Sequence, residues 1–311
     1  MVGTALLFPG QGSQYVGMGR DIYEADPVAR RCFEEADKVL GLELSEICFE
    51  GPEERLRETR YTQPAIVVHS VAVWRLLERA GLRPDFMAGH SVGEYSALVA
   101  AGSLELGDAL ALVKQRAEAM FSAGLERPGS MAALIGLPEE SLDPLLEEAG
   151  RAGVVVAANY NSPGQTVISG DSGAIDAAVE RAKSFGAKRA MRLNVSGAFH
   201  SPLMEPARKK VAAELQGTCF SDARVPVVSN VTGRPMTKPE EIADLLSKQL
   251  TSPVLWYQSM QFLRQQGVVS FAEVGPGAVL CGLLKRTVPD ARCASCSDSK
   301  GVAGFLEGVS T

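Results

Sequence analysis

Five residues, Gly89-His90-Ser91-Val92-Gly93, carry the strongest chemical signal in this chain of 311 residues. They spell G-x-S-x-G, a spacing in which small residues let the backbone turn sharply from strand to helix and leave a serine hydroxyl exposed. Unpaired amides and the positive end of the helix dipole at such a turn can stabilise an oxyanion. A serine nucleophile needs a base, and the chain has three histidines, His69, His90 and His200. His69 falls inside an apolar helical pattern and reads as a packed residue. His90 is adjacent to Ser91 and cannot easily turn its ring onto that hydroxyl. His200 lies in Ser196-Gly197-Ala198-Phe199-His200-Ser201, a loop between an expected strand and Pro202. Elimination makes it the candidate base, because catalytic bases sit on loops at strand ends. No acidic residue stands out as a third partner.

These residues need elements to position them. Phe86 to Ala88 reads as the end of a buried strand, and Val92 to Ala100 as the helix after the turn. Thr4 to Phe8 is a second strand, followed by Pro9-Gly10-Gln11-Gly12-Ser13-Gln14, where two glycines free the Gln11 amide to point at a ligand. A nucleotide loop is excluded, since Tyr15 occupies the place of a third glycine and no Gly-Lys dipeptide occurs. Helices are expected at Pro27 to Leu40, at Pro64 to Ala80 with Pro64 in the first position, and at Leu106 to Gly124. Arg116 falls at the edge of the apolar stripe of the last of these. It either snorkels to water or is a partly buried guanidinium waiting for a carboxylate.

The rhythm changes between 129 and 196. Strands at Met131 to Leu137, Val154 to Asn159, Thr166 to Ser169 and Lys188 to Val195, with helices at Glu139 to Ala149 and Ala174 to Phe185, give βαββαβ. Asn161-Ser162-Pro163-Gly164 is read as the loop between the two middle strands. The expected fold is therefore α/β: an α/β-hydrolase-like large domain with a parallel sheet, made of 1–128 and 197–311, and an inserted ferredoxin-like small domain at 129–196 that walls a cleft. After the insertion come helices near Pro202 to Leu215, Pro239 to Leu250 and Tyr257 to Gln266, strands at Val225 to Ser229 and Val268 to Val274, and a final helix after Gly275-Pro276-Gly277.

With 46% hydrophobic residues the chain can bury a large core, and no apolar run approaches the ~18 residues of a membrane span. Met1 leads almost directly into Ala5-Leu6-Leu7-Phe8, which argues against a signal peptide and for a cytoplasmic protein, apart from a removed transit peptide. The six cysteines have no framework spacing, and Cys293-x-x-Cys296 lacks a second pair or nearby histidines. They read as reduced thiols, with no metal site expected. Net charge is −6, yet residues 181 to 210 hold eight Lys or Arg and a single acid, Glu205, which leaves −13 for the rest of the chain. Such a zone fits either an anionic partner docking there or a solvated helix face. Nucleic acid is disfavoured, since no aromatic-rich basic motif accompanies it.

Six motifs in order, FPGQGSQ at 8–14, GHSVGE at 89–94, QR at 115–116, SGAFHS at 196–201, QL..PV.W at 249–256 and EVGPG at 273–277, resemble the malonyl-CoA:acyl carrier protein transacylase family along essentially the whole chain. The resemblance implies that Ser91 is acylated, that His200 is its base, that Arg116 grips the malonyl carboxylate and that the amides of Gln11 and Val92 form the oxyanion hole. It also implies that the main chain at Gln249 orients His200, as the Asp of a triad would. Phe199 resembles the malonyl-selective branch. The implied partners are malonyl-CoA and an acidic carrier protein docking near Lys188, Arg189, Arg192, Lys209 and Lys210; no cofactor is implied, and a monomer is expected. A discrete acyltransferase of a polyketide synthase shares this chemistry. A serine esterase would share the G-x-S-x-G but leave Arg116 and the basic zone unexplained.

Overall fold

The computed structural model describes residues 3–195 and 197–309, so Ser196, in the expected base loop, and residues 1, 2, 310 and 311 lie outside the described residues. Among the described residues, ten strands form two sheets: β1 (Gly3–Phe8), β2 (Phe86–Gly89), β3 (Gly129–Ile135), β4 (Val155–Ser162), β5 (Gln165–Asp171), β6 (Arg189–Arg192), β7 (Val227–Val228), β8 (Pro235–Met236), β9 (Val268–Val274) and β10 (Arg292–Cys296). The larger sheet runs β10-β9-β1-β2-β7-β8. Its centre is parallel, as expected, but β8 pairs antiparallel with β7, so the sheet is mixed. Two-residue strands at a sheet edge can be closed by a short return, which a parallel crossover cannot provide.

The central strand shows why this layer forms. Ala5, Leu6, Leu7 and Phe8 are all fully buried, because helices cover both faces of the sheet. Alternation then divides them: Leu6 and Phe8 join the main core, while Ala5 and Leu7 pack with Trp256, Phe271 and Leu284 behind the sheet.

The smaller sheet, β4-β5-β3-β6, is antiparallel throughout, with helices Leu142–Ala149 and Ser172–Arg181 packed on it. Its βαββαβ order matches the ferredoxin-like expectation. Asn161 and Ser162 were expected in a loop, but they belong to β4, which runs on to a tight turn at Pro163-Gly164. Main-chain bonds from Val254 N–H to Ala158 O (2.8 Å) and from Tyr160 N–H to Val254 O (2.9 Å) join β4 to the larger domain. That extension places Asn161 on the cleft beside Asn159.

Three other expectations change. The helix expected to open at Pro64 opens at Thr59 and runs to Arg79, with Pro64 inside. Proline there forgoes one intrahelical bond, and burial of Thr62, Gln63, Pro64 and Ala65 outweighs that loss. The helix after Gly277, Val279–Thr287, is not the last, because β10 and helix Ser299–Val309 follow it. The cysteines are not all reduced: Cys281 and Cys293 form a disulfide, with Cα atoms 5.5 Å apart. Helix Val279–Thr287 lies beside β10, so the pairing is set by tertiary contact and not by sequence spacing. Cys296, the other half of the C-x-x-C, is a buried free thiol that burial pushes up to about 12.

Candidate active site

The strand-to-helix turn is as tight as its glycines allow. A Cβ on Gly89 would lie 2.0 Å from the Gly93 carbonyl carbon, and one on Gly93 would lie 2.2 Å from Phe8 O. Only glycine fits at either position, and the turn is thereby pressed against the end of β1. Ser91 takes the left-handed conformation with φ 52°, and helix Gly93–Ala100 follows. Asn230, just after β7, clasps the turn: its Oδ1 accepts from Ser91 N–H (2.7 Å) and its Nδ2 donates to Gly89 O (2.6 Å).

His200 is the other non-glycine residue with positive φ among the described residues, at 56°. Strained backbone of this kind persists where surrounding contacts over-determine it. Here they do: Ser201 Oγ donates to Ala198 O (2.7 Å) and accepts from Leu203 N–H (3.2 Å). The imidazole Nδ1 lies 3.0 Å from Gln249 O and 3.2 Å from Ser252 O. Carbonyls only accept, so Nδ1 carries the proton and Nε2 presents its lone pair to Ser91 Oγ, 2.8 Å away. Burial, reinforced by the nearby Arg116 charge, holds His200 down at about 3, and it is therefore neutral at physiological pH.

Arg116 does not snorkel. It is 1% exposed and reaches from helix Leu106–Glu126 to the floor of the site. Its Nη1 donates to Gln63 Oε1 (2.5 Å), and its Nη2 donates to Gln249 Oε1 (2.9 Å) and Ser91 Oγ (3.0 Å). These partners are all neutral. A guanidinium so deep, with no carboxylate in contact among the described residues, is a costly arrangement that an anionic ligand would relieve.

Gln11 and Val92 line the same cavity, and neither backbone N–H has a hydrogen-bond partner among the described residues. Gly10 brings them together, since a Cβ there would lie 2.4 Å from His90 O. The cavity measures about 220 Å³ and is lined from both domains, with Phe199, Met120 and Leu280 among its apolar walls. His90 serves the wall and not the hydroxyl: its Nε2 meets Asn161 Oδ1 at 2.9 Å and its ring packs on Trp256, with centroids 5.4 Å apart. His69 is fully buried in its helix, as read from the sequence.

Sequence reasoning missed Asn230, Gln63, Ser252 and Glu94. Glu94 is 1% exposed and accepts from Gln249 Nε2 (2.6 Å), and burial pushes its carboxyl up to about 7. Its signal was present as the last letter of GHSVGE, the one charged residue of helix Gly93–Ala100. Of the basic zone, Lys188, Arg189, Arg192, Lys209 and Lys210 are exposed. Arg192 is paired with Asp176. Leu193 and Val195, which follow β6, reach the cavity wall.

Comparison with known proteins places the chain in a family. The family model described as acyl transferase domain matches residues 5–305. The malonyl CoA-acyl carrier protein transacylase of Bacillus subtilis is 46% identical over 96% of this chain and 94% of its own length. The structure of MCAT from Streptococcus pneumoniae, 44% identical, superposes with a TM-score of 0.93 over 98% of this chain and 99% of that one. A malonyl-transacylase solved in complex with a type II PKS acyl-carrier protein, 42% identical, gives 0.95 over 98% and 99%. The chain belongs to the acyl transferase domain family.

Proposed function

We propose that the protein transfers malonyl groups from malonyl-CoA to the phosphopantetheine thiol of an acyl carrier protein through a malonyl ester on Ser91. The observation that carries the reading is Arg116, a wholly buried cation whose hydrogen bonds all go to neutral groups within reach of Ser91 Oγ. A carboxylated acyl group supplies the missing anion, and the planar guanidinium can hold it bidentately. An acetyl group would leave the charge unpaired, and a simple esterase has no use for it.

The steps follow from the contacts. Ser91 Oγ attacks the thioester carbonyl as its proton passes to His200 Nε2, and the Gln11 and Val92 amides receive the developing oxyanion. Coenzyme A leaves with the proton from His200. The carrier thiol then enters, gives its proton to His200 and attacks the ester; Ser91 recovers its proton as the malonyl thioester departs. Gln249 O and Ser252 O hold the imidazolium while it exists, in the place of a triad carboxylate. This route calls on no metal or redox group. Phe199 on the cavity wall would narrow the space beside the acyl group. Lys188, Arg189, Arg192, Lys209 and Lys210 would receive the acidic carrier protein. The complex of a similar transacylase with a polyketide carrier supports a second reading of the pathway, in which the acceptor is a polyketide and not a fatty-acid carrier protein.

Steady-state transfer from malonyl-CoA to carrier protein tests the scheme. A covalent intermediate formed and discharged in turn requires parallel double-reciprocal lines as the second substrate is varied. Converging lines would mean direct transfer and reject it.

A further inference from the structure

We infer that Glu94 is the residue that positions Gln249, and through it Arg116, and that Glu94 takes up one proton from solvent when a carboxylate enters the pocket. The inference rests on the proposed pairing of Arg116 with the malonyl carboxylate.

The geometry begins with an amide that has two unlike ends. Gln249 Nε2 donates to Glu94 Oε2 (2.6 Å) and to Ser91 O (3.1 Å), which turns Gln249 Oε1 toward Arg116 Nη2 (2.9 Å). Reversing the amide would set its donors against the guanidinium and its oxygen against the carboxylate. Glu94 therefore decides which end of Gln249 Arg116 meets. The main-chain oxygen of the same Gln249 accepts from His200, so one residue joins the acid to the orientation of both the guanidinium and the base.

The second observation concerns the two carboxylate oxygens. Glu94 Oε2 also accepts from Asn230 N–H (3.4 Å), but Oε1 is buried with no hydrogen-bond partner among the described residues. Protonation at Oε1 leaves Oε2 still accepting from Gln249. The charge can change without releasing the amide.

The surroundings make that charge depend on Arg116. Strands β1, β2 and β7, which pack on helix Gly93–Ala100, carry no charged residue. Helix Thr59–Arg79 presents neutral Gln63 to the site, Gln249 and Asn230 are neutral, and His200 is held neutral. Helix Leu106–Glu126 supplies Arg116, and the elbow helix itself adds Tyr95. Burial already raises the Glu94 carboxyl, with Gln249, Asn230 and Arg116 pulling the other way. A malonyl carboxylate on Arg116 takes up that compensating charge and adds a second anion to a closed space, so Glu94 is left protonated. By linkage, malonyl binding is tightest below the titration of Glu94 in the empty site and weakens as pH rises through it.

The test is the pH profile of Ser91 loading, read as apparent KM for malonyl-CoA and acetyl-CoA between about pH 6 and about pH 8.5. In the wild type the malonyl-CoA value should rise about three- to tenfold per pH unit above the Glu94 titration. Acetyl-CoA, which carries the same phosphates and no carboxylate, should not share the rise. Glu94→Gln keeps an acceptor for Gln249 and has no proton to lose, so its malonyl profile should be flat. Glu94→Ala, which frees the amide, should lower kcat/KM for malonyl-CoA at every pH, and the Gln variant should recover the loss. Calorimetry in buffers of different ionisation enthalpy, with wild-type protein and a thioether analogue of malonyl-CoA, should record uptake of about half a proton near pH 7, growing toward about one as pH rises to about 8, and needs no variant. A rise that survives in Glu94→Gln, or no proton uptake by the wild type, overturns the inference. Failure of the underlying reading looks different: Arg116→Ala would then retain the malonyl preference.

Discussion

Replacing Arg116 with alanine should convert a carboxylate-selective site into an indifferent one. In the empty protein the guanidinium is fully buried and held by Gln63, Gln249 and Ser91, so its fork is already oriented when substrate arrives. Little ordering remains to oppose the new contact. Hydrogen bonds to charged groups contribute about 1.5 to 3 kcal/mol, which is about ten- to hundredfold in kcat/KM for malonyl-CoA. Acetyl-CoA has no carboxylate to lose and should hold steady or improve, since the unpaired charge beside its methyl group is gone. Arg116→Lys keeps charge without the fork and should fall between. The assay is competition between malonyl-CoA and acetyl-CoA for Ser91 in each variant. Because truncation also leaves Gln63 Oε1 and Gln249 Oε1 without their donor, folding is checked by thermal denaturation. A folded Arg116→Ala protein that still prefers malonyl-CoA would refute the reasoning and move the search for selectivity to Phe199.

Other outcomes follow from the same contacts. His200→Ala should lower transfer by about 10²- to 10⁴-fold, as expected for loss of a positioned base, with His90→Ala and His69→Ala milder in folded protein; a reversed ranking would displace His200. An ordinary imidazole loses its free base form as pH falls through 6.5, whereas His200, held near 3, stays neutral there. Acetyl-CoA loading, free of the carboxylate linkage, should therefore show no acid limb near that pH, and a limb that vanishes in a variant of His200 would contradict the burial argument. Asn230→Ala leaves Ser91 N–H and Gly89 O unpaired, so both stability and loading should fall, measured by thermal denaturation and loading rate. Reversing charge at Lys209 and Lys210 should raise KM for the carrier protein more than for malonyl-CoA, with added salt acting on the wild type in the same direction.

Much of the site was legible because its residues sit next to backbone signals. Gly89 and Gly93 announce the turn that exposes Ser91, and Gly10 and Gly12 announce the loop that frees the Gln11 amide. The buried run Ala5-Leu6-Leu7-Phe8 and the two periodicities between 129 and 196 carry the layers of both sheets. What was not legible depends on tertiary contact. Arg116 lies at the edge of an apolar stripe, and only the approach of Gln63 and Gln249 decides between water and the site. Asn230 is one polar residue after a two-residue strand, and its clasp spans 139 residues of sequence. Pro64 reads as a helix start by local chemistry, yet burial of the preceding turn carries the helix back to Thr59. Strand β10, Arg-Cys-Ala-Ser-Cys, lacks an apolar alternation, so both the strand and the Cys281–Cys293 pairing escape a reading by spacing.

The most direct test of the central claim is the intact mass of the protein after incubation with malonyl-CoA. The account predicts one added malonyl group on the wild type, located at Ser91 by peptide mapping, absent in Ser91→Ala and discharged on addition of carrier protein. Undiminished labelling in Ser91→Ala, or a label on Ser91 that the carrier protein cannot remove, would contradict it.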